Sequence, residues 1–306
     1  MTTHLALVGP TASGKSDLAL ALARTLGDVE IVSVDSMQVY RGLDIGTAKP
    51  SQADRAEIVH HLVDVAGPED DWSAQRFQHA ARAVVADIES RGRRALLVGG
   101  TGLYFQAVID DLRFPGEDLD LRAELEAATT QPGGIAAAYA ELTTLDPVAA
   151  ARIDPHNARR IVRALEVMRL TGEPFSSFGP GINSFGPTAF PLRLAGVWLP
   201  RAVLAARIEE RVTAMREAGF VQEVEALRST GGLSRTAAQA IGYRELLAHL
   251  DGQATLDEAY ATTVRRTRSF ARRQRMWFRR DPRITWLGTG TKPCALEQAL
   301  LALWGP

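Results

Sequence analysis

Leu5-Ala-Leu-Val-Gly-Pro-Thr-Ala-Ser-Gly-Lys-Ser16 is the stretch on which the fold turns. Its first four residues are apolar and suit a buried strand. Gly9, Pro10, Thr11, Ala12, Ser13, Gly14, Lys15 and Ser16 then match G-x-x-x-x-G-K-[ST], and an apolar helical run from Lys15 to about Leu26 follows at once. A strand before and a helix after is the setting that gives this motif its meaning. Glycine lets main-chain N–H groups turn inward around phosphate oxygens, and the helix N-terminus adds positive potential. Lys15 would place a compact ammonium on the terminal phosphates, and Ser16 would offer a hydroxyl to Mg2+. The loop reports a diphosphate or triphosphate without saying which.

Working outward, Glu30-Ile-Val-Ser-Val34 reads as a second strand that ends at Asp35. Residues 35–49 have no clean period and are rich in glycine and polar groups, as an active-site loop would be. Ser73 is a helix N-cap, with Gly92 as the C-terminal stop. Residues 94–98 form a third strand running into Gly99-Gly100-Thr101-Gly102. Strands alternating with helices of this length predict an α/β fold with a parallel sheet covered on both faces. The alternation then breaks. Helical text fills residues 119–170, and residues 172–191 are a Gly-, Pro- and Phe-rich loop. Strand-like text resumes at 192–199. The expected organisation is a core of residues 1–112 and 192–306, interrupted by a helical insertion at 113–191. Helices at about 201–229 and 256–280 and a strand at 284–287 complete the core.

Ligands collect at the C-terminal edge of an open parallel sheet, and Asp35 stands there. A carboxylate in that place can hold Mg2+ through water, accept a proton from an attacking O–H or N–H, or simply cap the next turn. Thr101 follows the third strand at the same edge. It can donate to a phosphate oxygen or serve as a plain turn residue, and spacing does not separate the two.

The 306 residues carry 35 basic and 36 acidic side chains, for a net charge of −1. Lys15, Lys49 and Lys292 are the three lysines; every other cation is arginine. Cys294 is the single cysteine, which rules out an intrachain disulfide and a cysteine-rich metal site. No run approaches the ~18 apolar residues of a membrane span. No basic start with a long apolar stretch precedes the first strand, so a secretory signal is not expected and the cytoplasm is the default compartment.

The near-neutral sum hides a local excess. From Arg265 to Arg283 there are nine arginines and one acid, Asp281. At 100° per residue, Arg265, Arg268, Arg272, Arg275 and Arg279 form one stripe, flanked by Arg266, Arg273 and Arg280. Tyr260, Val264, Phe270, Ala271, Trp277 and Phe278 take the opposite half. With no acid between 265 and 280, the helix carries like-charge repulsion that an anionic partner would relieve. Arg159, Arg160 and Arg163, and the arginines between 201 and 211, repeat the theme. Planar guanidinium forks suit phosphate backbones, although an Arg-rich solvated face would read the same way.

Several segments together resemble the bacterial tRNA dimethylallyltransferase family. They are residues 9–16, Ser-Val-Asp-Ser-Met-Gln-Val-Tyr at 33–40, Asp-Ile-Gly-Thr-Ala-Lys-Pro at 44–50 and Leu-Val-Gly-Gly-Thr-Gly-Leu-Tyr at 97–104. Arg-Ala-Leu-Glu-Val at 163–167, Gly-Tyr-Arg at 242–244 and Arg-Arg-Gln-Arg-Met-Trp-Phe at 272–278 complete the set. The resemblance implies a P-loop NTPase-like core acting as a cytoplasmic monomer with Mg2+. The donor would be dimethylallyl diphosphate and the acceptor N6 of adenosine 37 in the tRNA anticodon stem-loop. Asp35 would be the base and Thr101 a diphosphate or transition-state contact. Asp35, Ser36, Met37, Gln38, Arg122, Arg159, Arg160, Ile161, Val162, Arg163, Gly242, Tyr243 and Arg244 match the family's tRNA-contacting positions, and Arg272 and Arg275 add the basic face.

Residues 1–112 alone also fit a small-molecule kinase with Asp35 as base. A prenyltransferase acting on AMP or ATP, and a non-catalytic RNA-binding switch, are further readings. The arginine face and the helical insertion favour the tRNA enzyme, since a metabolite kinase needs neither.

Overall fold

The computed structural model describes residues 2–179, 181–290 and 293–304; Lys292, and Pro180 in the 172–191 loop, lie outside the described residues. The chain divides into two compact units, Met1–Asp110 with Phe185–Pro306, and Asp111–Ser184.

In the first unit the order is β1 (His4–Val8), α1 (Lys15–Leu26), β2 (Val29–Val34), α2 (Gln52–Glu57), β3 (His60–His61), α3 (Ala74–Ser90), β4 (Arg94–Gly99) and α4 (Gly102–Ile109). The second unit holds α5 (Leu119–Thr130), α6 (Gly134–Leu145), α7 (Pro147–Ala150) and α8 (Ala158–Thr171). The first then resumes with β5 (Leu192–Trp198), α9 (Arg201–Glu217), α10 (Phe220–Ser229), α11 (Tyr243–Leu250), α12 (Leu256–Phe278), β6 (Thr285–Gly288) and α13 (Glu297–Trp304).

The six strands form one sheet in the order β3-β2-β4-β1-β5-β6, every pair parallel. Strand period explains why their central text is apolar on successive residues rather than alternating. Leu5, Leu7, Ile31, Leu96 and Val98 pack with Leu18, Leu22, Leu300 and Trp304 of α1 and α13. Ala6, Val8, Val32, Val34 and Leu97 point the other way, into a larger core with Phe77, Phe105, Tyr243 and Phe278. A sheet buried on both faces has no polar side to show.

The helical unit has its own core around Leu125, Leu142, Ile153, Ile161 and Leu165. Three of its helices, α5, α7 and α8, start on polar side-chain caps. The Asp118 side chain accepts from the N–H groups of Asp120 and Leu121, and Asn157 accepts from Arg160 N–H. Residues 185–191, counted with the insertion in the sequence, lie instead with the sheet. Ala189 N–H donates to Ile109 O at 2.7 Å and His4 N–H to Pro191 O at 2.9 Å.

One expectation needs correction. The helix expected at 201–229 is two helices, because Gly219 at φ 90° turns the chain out of α9 before α10 begins. The two-residue β3 is too short to carry a period. The basic helix ends at Phe278 and the last strand starts at Thr285, each within two residues of expectation. Among the described residues no helix is long and apolar enough to cross a membrane.

Candidate active site

Register places the site. Val8 of β1 and Val34 of β2 both pair with Gly99 of β4. Gly9, Asp35 and Gly100 therefore leave three neighbouring strands at one level. Gly99 and Gly100 are required there: a Cβ on Gly99 would lie 2.1 Å from Val34 O, and one on Gly100 2.3 Å from Gln274 Nε2.

The loop between β1 and α1 takes two left-handed residues, Ala12 at φ 60° and Gly14 at φ 78°. No side chain caps the N-terminus of α1, so its first N–H groups are unspent and aim at the loop's mouth. α9 supplies further charge. Arg207 Nε donates to Ala12 O at 2.9 Å, and Arg211 reaches Thr11 Oγ1 and Thr47 O, each at 3.4 Å. Burial lowers the Lys15 ammonium to about 8; nearby Asp35 opposes the shift and Arg211 adds to it. Burial likewise lowers Arg211, against the pull of Asp35 and Asp17. Two crowded, half-buried cations are poised for an anion.

Asp35 opens onto the same cavity, of about 160 Å³, as Lys15, Ser16, Asp17, Gln38 and Lys49. Its Oδ1 accepts from Met37 N–H at 2.9 Å and Gln38 N–H at 3.4 Å, so one oxygen does cap the turn. Oδ2 has no hydrogen-bond partner among the described residues. Thr101 Oγ1 accepts from Ser36 N–H at 3.2 Å, which ties the Asp35 turn to the start of α4. Among the described residues no three His, Cys, Asp or Glu side chains group as a metal site. The hard oxygens of Ser16, Asp17 and Asp35 still fit the Mg2+ arrangement in which few protein ligands share the ion with phosphates.

The other expected contacts divide. Arg272 is exposed, and Arg275 lies over the Trp198 ring, 5.2 Å from its centroid. Met37 packs against the core. The Gln38 amide is spent internally: Oε1 accepts from Ser33 Oγ at 2.8 Å, and Nε2 donates to Thr47 O and Ala48 O. Arg244 is exposed, but Tyr243, on the turn opened by Gly242 at φ 94°, is fully buried and cannot present its ring to a ligand.

In the helical unit Arg159 and Arg160 are exposed, whereas Ile161 and Val162 are in the core and can offer nothing from their side chains. Arg122 and Arg163 converge on the buried carboxylate of Glu166, each at 2.9 Å.

Sequence reasoning missed Gln274. This buried amide accepts from Thr11 N–H at 2.8 Å and donates to Gly100 O at 2.9 Å, joining the phosphate loop to the β4–α4 turn. The signal was present: Gln274 is a lone uncharged polar residue at i+3 from buried Ala271 and i−4 from buried Phe278.

Family comparison decides the identity. The family model described as IPP transferase matches residues 38–281, and a second, described as Isopentenyl transferase, matches residues 1–65. The chain belongs to the IPP transferase family. A relative within it, the tRNA dimethylallyltransferase of Salinispora tropica, is 50% identical over 286 residues, spanning 93% of this chain and 88% of that protein. The crystal structure of the full-length tRNA isopentenylpyrophosphate transferase from Bacillus halodurans is similar with a TM-score of 0.73 at 38% identity, covering 99% and 96% of the two chains. A eukaryotic dimethylallyltransferase described as acting on tRNA superposes with a TM-score of 0.80 at 26% identity, over 99% of this chain and 78% of that one. IPP transferase members thus share this sheet, and the α/β, P-loop NTPase-like class read from residues 9–16 holds.

Proposed function

We propose that this IPP transferase moves a dimethylallyl group from dimethylallyl diphosphate to N6 of adenosine 37 in tRNA, releasing diphosphate. The observation that carries the reading is one cleft in which an uncapped helix N-terminus, Lys15 and Arg211 face the Asp35 carboxylate. An exocyclic adenine amine is a weak nucleophile because its lone pair is delocalised into the ring. It needs an allylic carbon, a stabilised leaving group and a base within reach.

In the proposed reaction the N6 lone pair forms a bond to C1 of the allyl group as the C1–O bond breaks. The bonding pair leaves on the diphosphate, and the N6 proton passes to Asp35 Oδ2. The α1 N–H groups, Lys15 and Arg211 hold the departing charge, and the Thr101 hydroxyl is close enough to the Asp35 turn to add a donor. Mg2+, held by Ser16 with Asp35 or Asp17, would neutralise part of the charge on the diphosphate oxygens. The adenine must leave its stack to reach the cleft, and exposed Arg272, with Arg275 and Arg279, would meet phosphates outside it.

The test is transfer of label from dimethylallyl diphosphate to unmodified tRNA in the presence of Mg2+. Label in the RNA is expected. Label on AMP alone, or ATP consumption on a metabolite with no RNA label, would replace this reading.

A further inference from the structure

Glu223 has no place in the reaction just described, yet its carboxylate receives four hydrogen bonds. Oε2 accepts from Asp44 N–H at 3.1 Å and Ile45 N–H at 2.7 Å. Oε1 accepts from Gly46 N–H at 3.4 Å and from the Tyr243 hydroxyl at 2.5 Å. Burial, and then the Glu223 charge, push the Tyr243 phenol well above its ordinary value, so it remains a donor. The turn it holds is packed as well as bonded: a Cβ on Gly46 would stand 2.3 Å from Phe220 Cζ and 2.4 Å from Tyr243 Cε2.

That turn leads to the cleft. The carbonyls of Thr47 and Ala48 accept from Gln38 Nε2, whose own main-chain N–H donates to Asp35. Thr47 O also accepts from Arg211. Within the same turn Lys49 Nζ is fixed by Tyr40 O at 2.7 Å, Asp44 at 2.5 Å and Asp64 at 2.6 Å.

We propose that Glu223, seated by Tyr243, is a positioning residue that clamps residues 44–48 and through Gln38 sets the Asp35 carboxylate against the phosphate loop. The proposal rests on the prenyl-transfer reading for its kinetic consequence, but not for its structural one. Only an ionised carboxylate can take four donors on two oxygens. An amide of the same shape would turn an NH2 toward two of them. Glu223→Gln therefore keeps the volume and breaks the clamp.

The clamp bears on the Asp35 side of the cleft, leaves α1 alone and meets the diphosphate side only through the long 3.4 Å contact of Arg211 with Thr47 O, which fixes the kinetic signature. Glu223→Gln should lower turnover at saturating tRNA and prenyl diphosphate by at least about tenfold, with the KM for prenyl diphosphate within about threefold. Tyr243→Phe, which removes one donor of four, should fall between the wild type and Glu223→Gln, and it keeps the test open if the amide variant folds poorly. Because Glu223 acts through Gln38, the effects of Glu223→Gln and Gln38→Ala should not add: the double variant should be no slower than the slower single one. Hydrogen exchange at the amides of residues 44–46 should speed up by about tenfold or more in Glu223→Gln, whatever the catalytic outcome.

Turnover within twofold of wild type, additive losses in the double variant, or unchanged protection of residues 44–46 would each overturn the clamp. A wild-type protein that transfers no label to tRNA would remove the proposed function, and the exchange measurement would still decide whether Glu223 holds the turn.

Discussion

Lys15 sits beside Arg211 at the mouth of a helix, and both cations are lowered by burial in the absence of an anion. Between pH about 8 and the ordinary lysine value of 10.5, the unfolded chain keeps a proton that the folded one has released. The stability of the free protein therefore rises with pH across that window, and the penalty of holding the charged amine is complete below it. Ligand binding runs the opposite way, since a diphosphate needs the ammonium. Affinity measured by calorimetry should fall as pH climbs through about 8, by up to about tenfold per unit. Lys15→Met should bind weakly and lose that component of the slope, the ligand's own titration cancelling in the comparison. Asp35→Asn keeps the Oδ1 contacts to Met37 and Gln38 and removes the proton acceptor. It should retain tRNA binding and lose turnover by at least about a hundredfold, the usual size of a general-base effect. Turnover close to wild type would strip Asp35 of the role. Both residues were legible in the sequence, Lys15 through the glycine-framed motif that follows β1 and Asp35 because it stands directly after β2. Glu223 was not, since nothing local in α10 records that its carboxylate meets a turn far away along the chain.

The helix α12 shows how far periodicity reaches. Its stripe of arginines is real, but the like-charge repulsion expected from a run without acids is partly relieved in three dimensions. Arg266 pairs with Glu245 of α11 at 2.5 Å and Arg268 with Glu209 of α9. These acids come from other helices, and an i±4 reading of one helix cannot see them. No ion pair is present for Arg272, Arg275 or Arg279 among the described residues, and burial together with Arg201 and Arg279 lowers Arg275. Arg272→Ala with Arg275→Ala should weaken tRNA binding and reduce the salt slope by roughly 1.4, at about 0.7 per lost phosphate contact on single-stranded RNA. Arg268→Ala, whose charge Glu209 already offsets, should change the slope by less. A salt slope unchanged in the double variant would make this face a solvent coat. On the inner side, Gln274→Ala would leave Thr11 N–H and Gly100 C=O without their partner. Chemical denaturation should register a loss of about 1–3 kcal/mol. The break between α9 and α10 escaped sequence reading because helical periodicity resumes on both sides of Gly219.

At the scale of the whole chain, two units with separate cores are threaded as one inside the other. Arg283 Nη1 donates to Asp110 Oδ1 at 2.7 Å and to Gly186 O at 2.8 Å, so the chain leaves and re-enters the sheet unit at one guanidinium. Replacing residues 112–184 by a short Gly/Ser linker should leave a cooperatively melting core that binds diphosphate and transfers no prenyl group to tRNA. Loss of diphosphate binding in a folded core would show that the helical unit is needed for more than RNA. The sheet was readable because four of its strands announce themselves as largely apolar runs ended by glycine or aspartate, and β5 as one that runs into Pro200. The return point of the chain was not: residues 185–191 look like linker text, and only long-range contacts, the main-chain bonds to Ile109 and His4 and the Arg283 bond to Gly186 O, assign them to the core.

Three strands that stop on a common line also constrain how this protein can vary. Side chains alternate across a strand with a rise of about 3.3 Å per residue, so one residue added inside β2 would carry the next carboxylate to the opposite face. Crossovers can lengthen or shrink freely, while the strands between them behave as rulers whose count cannot change. Natural length variation, and any insertion made by hand, should be tolerated between the rulers and abolish activity within them.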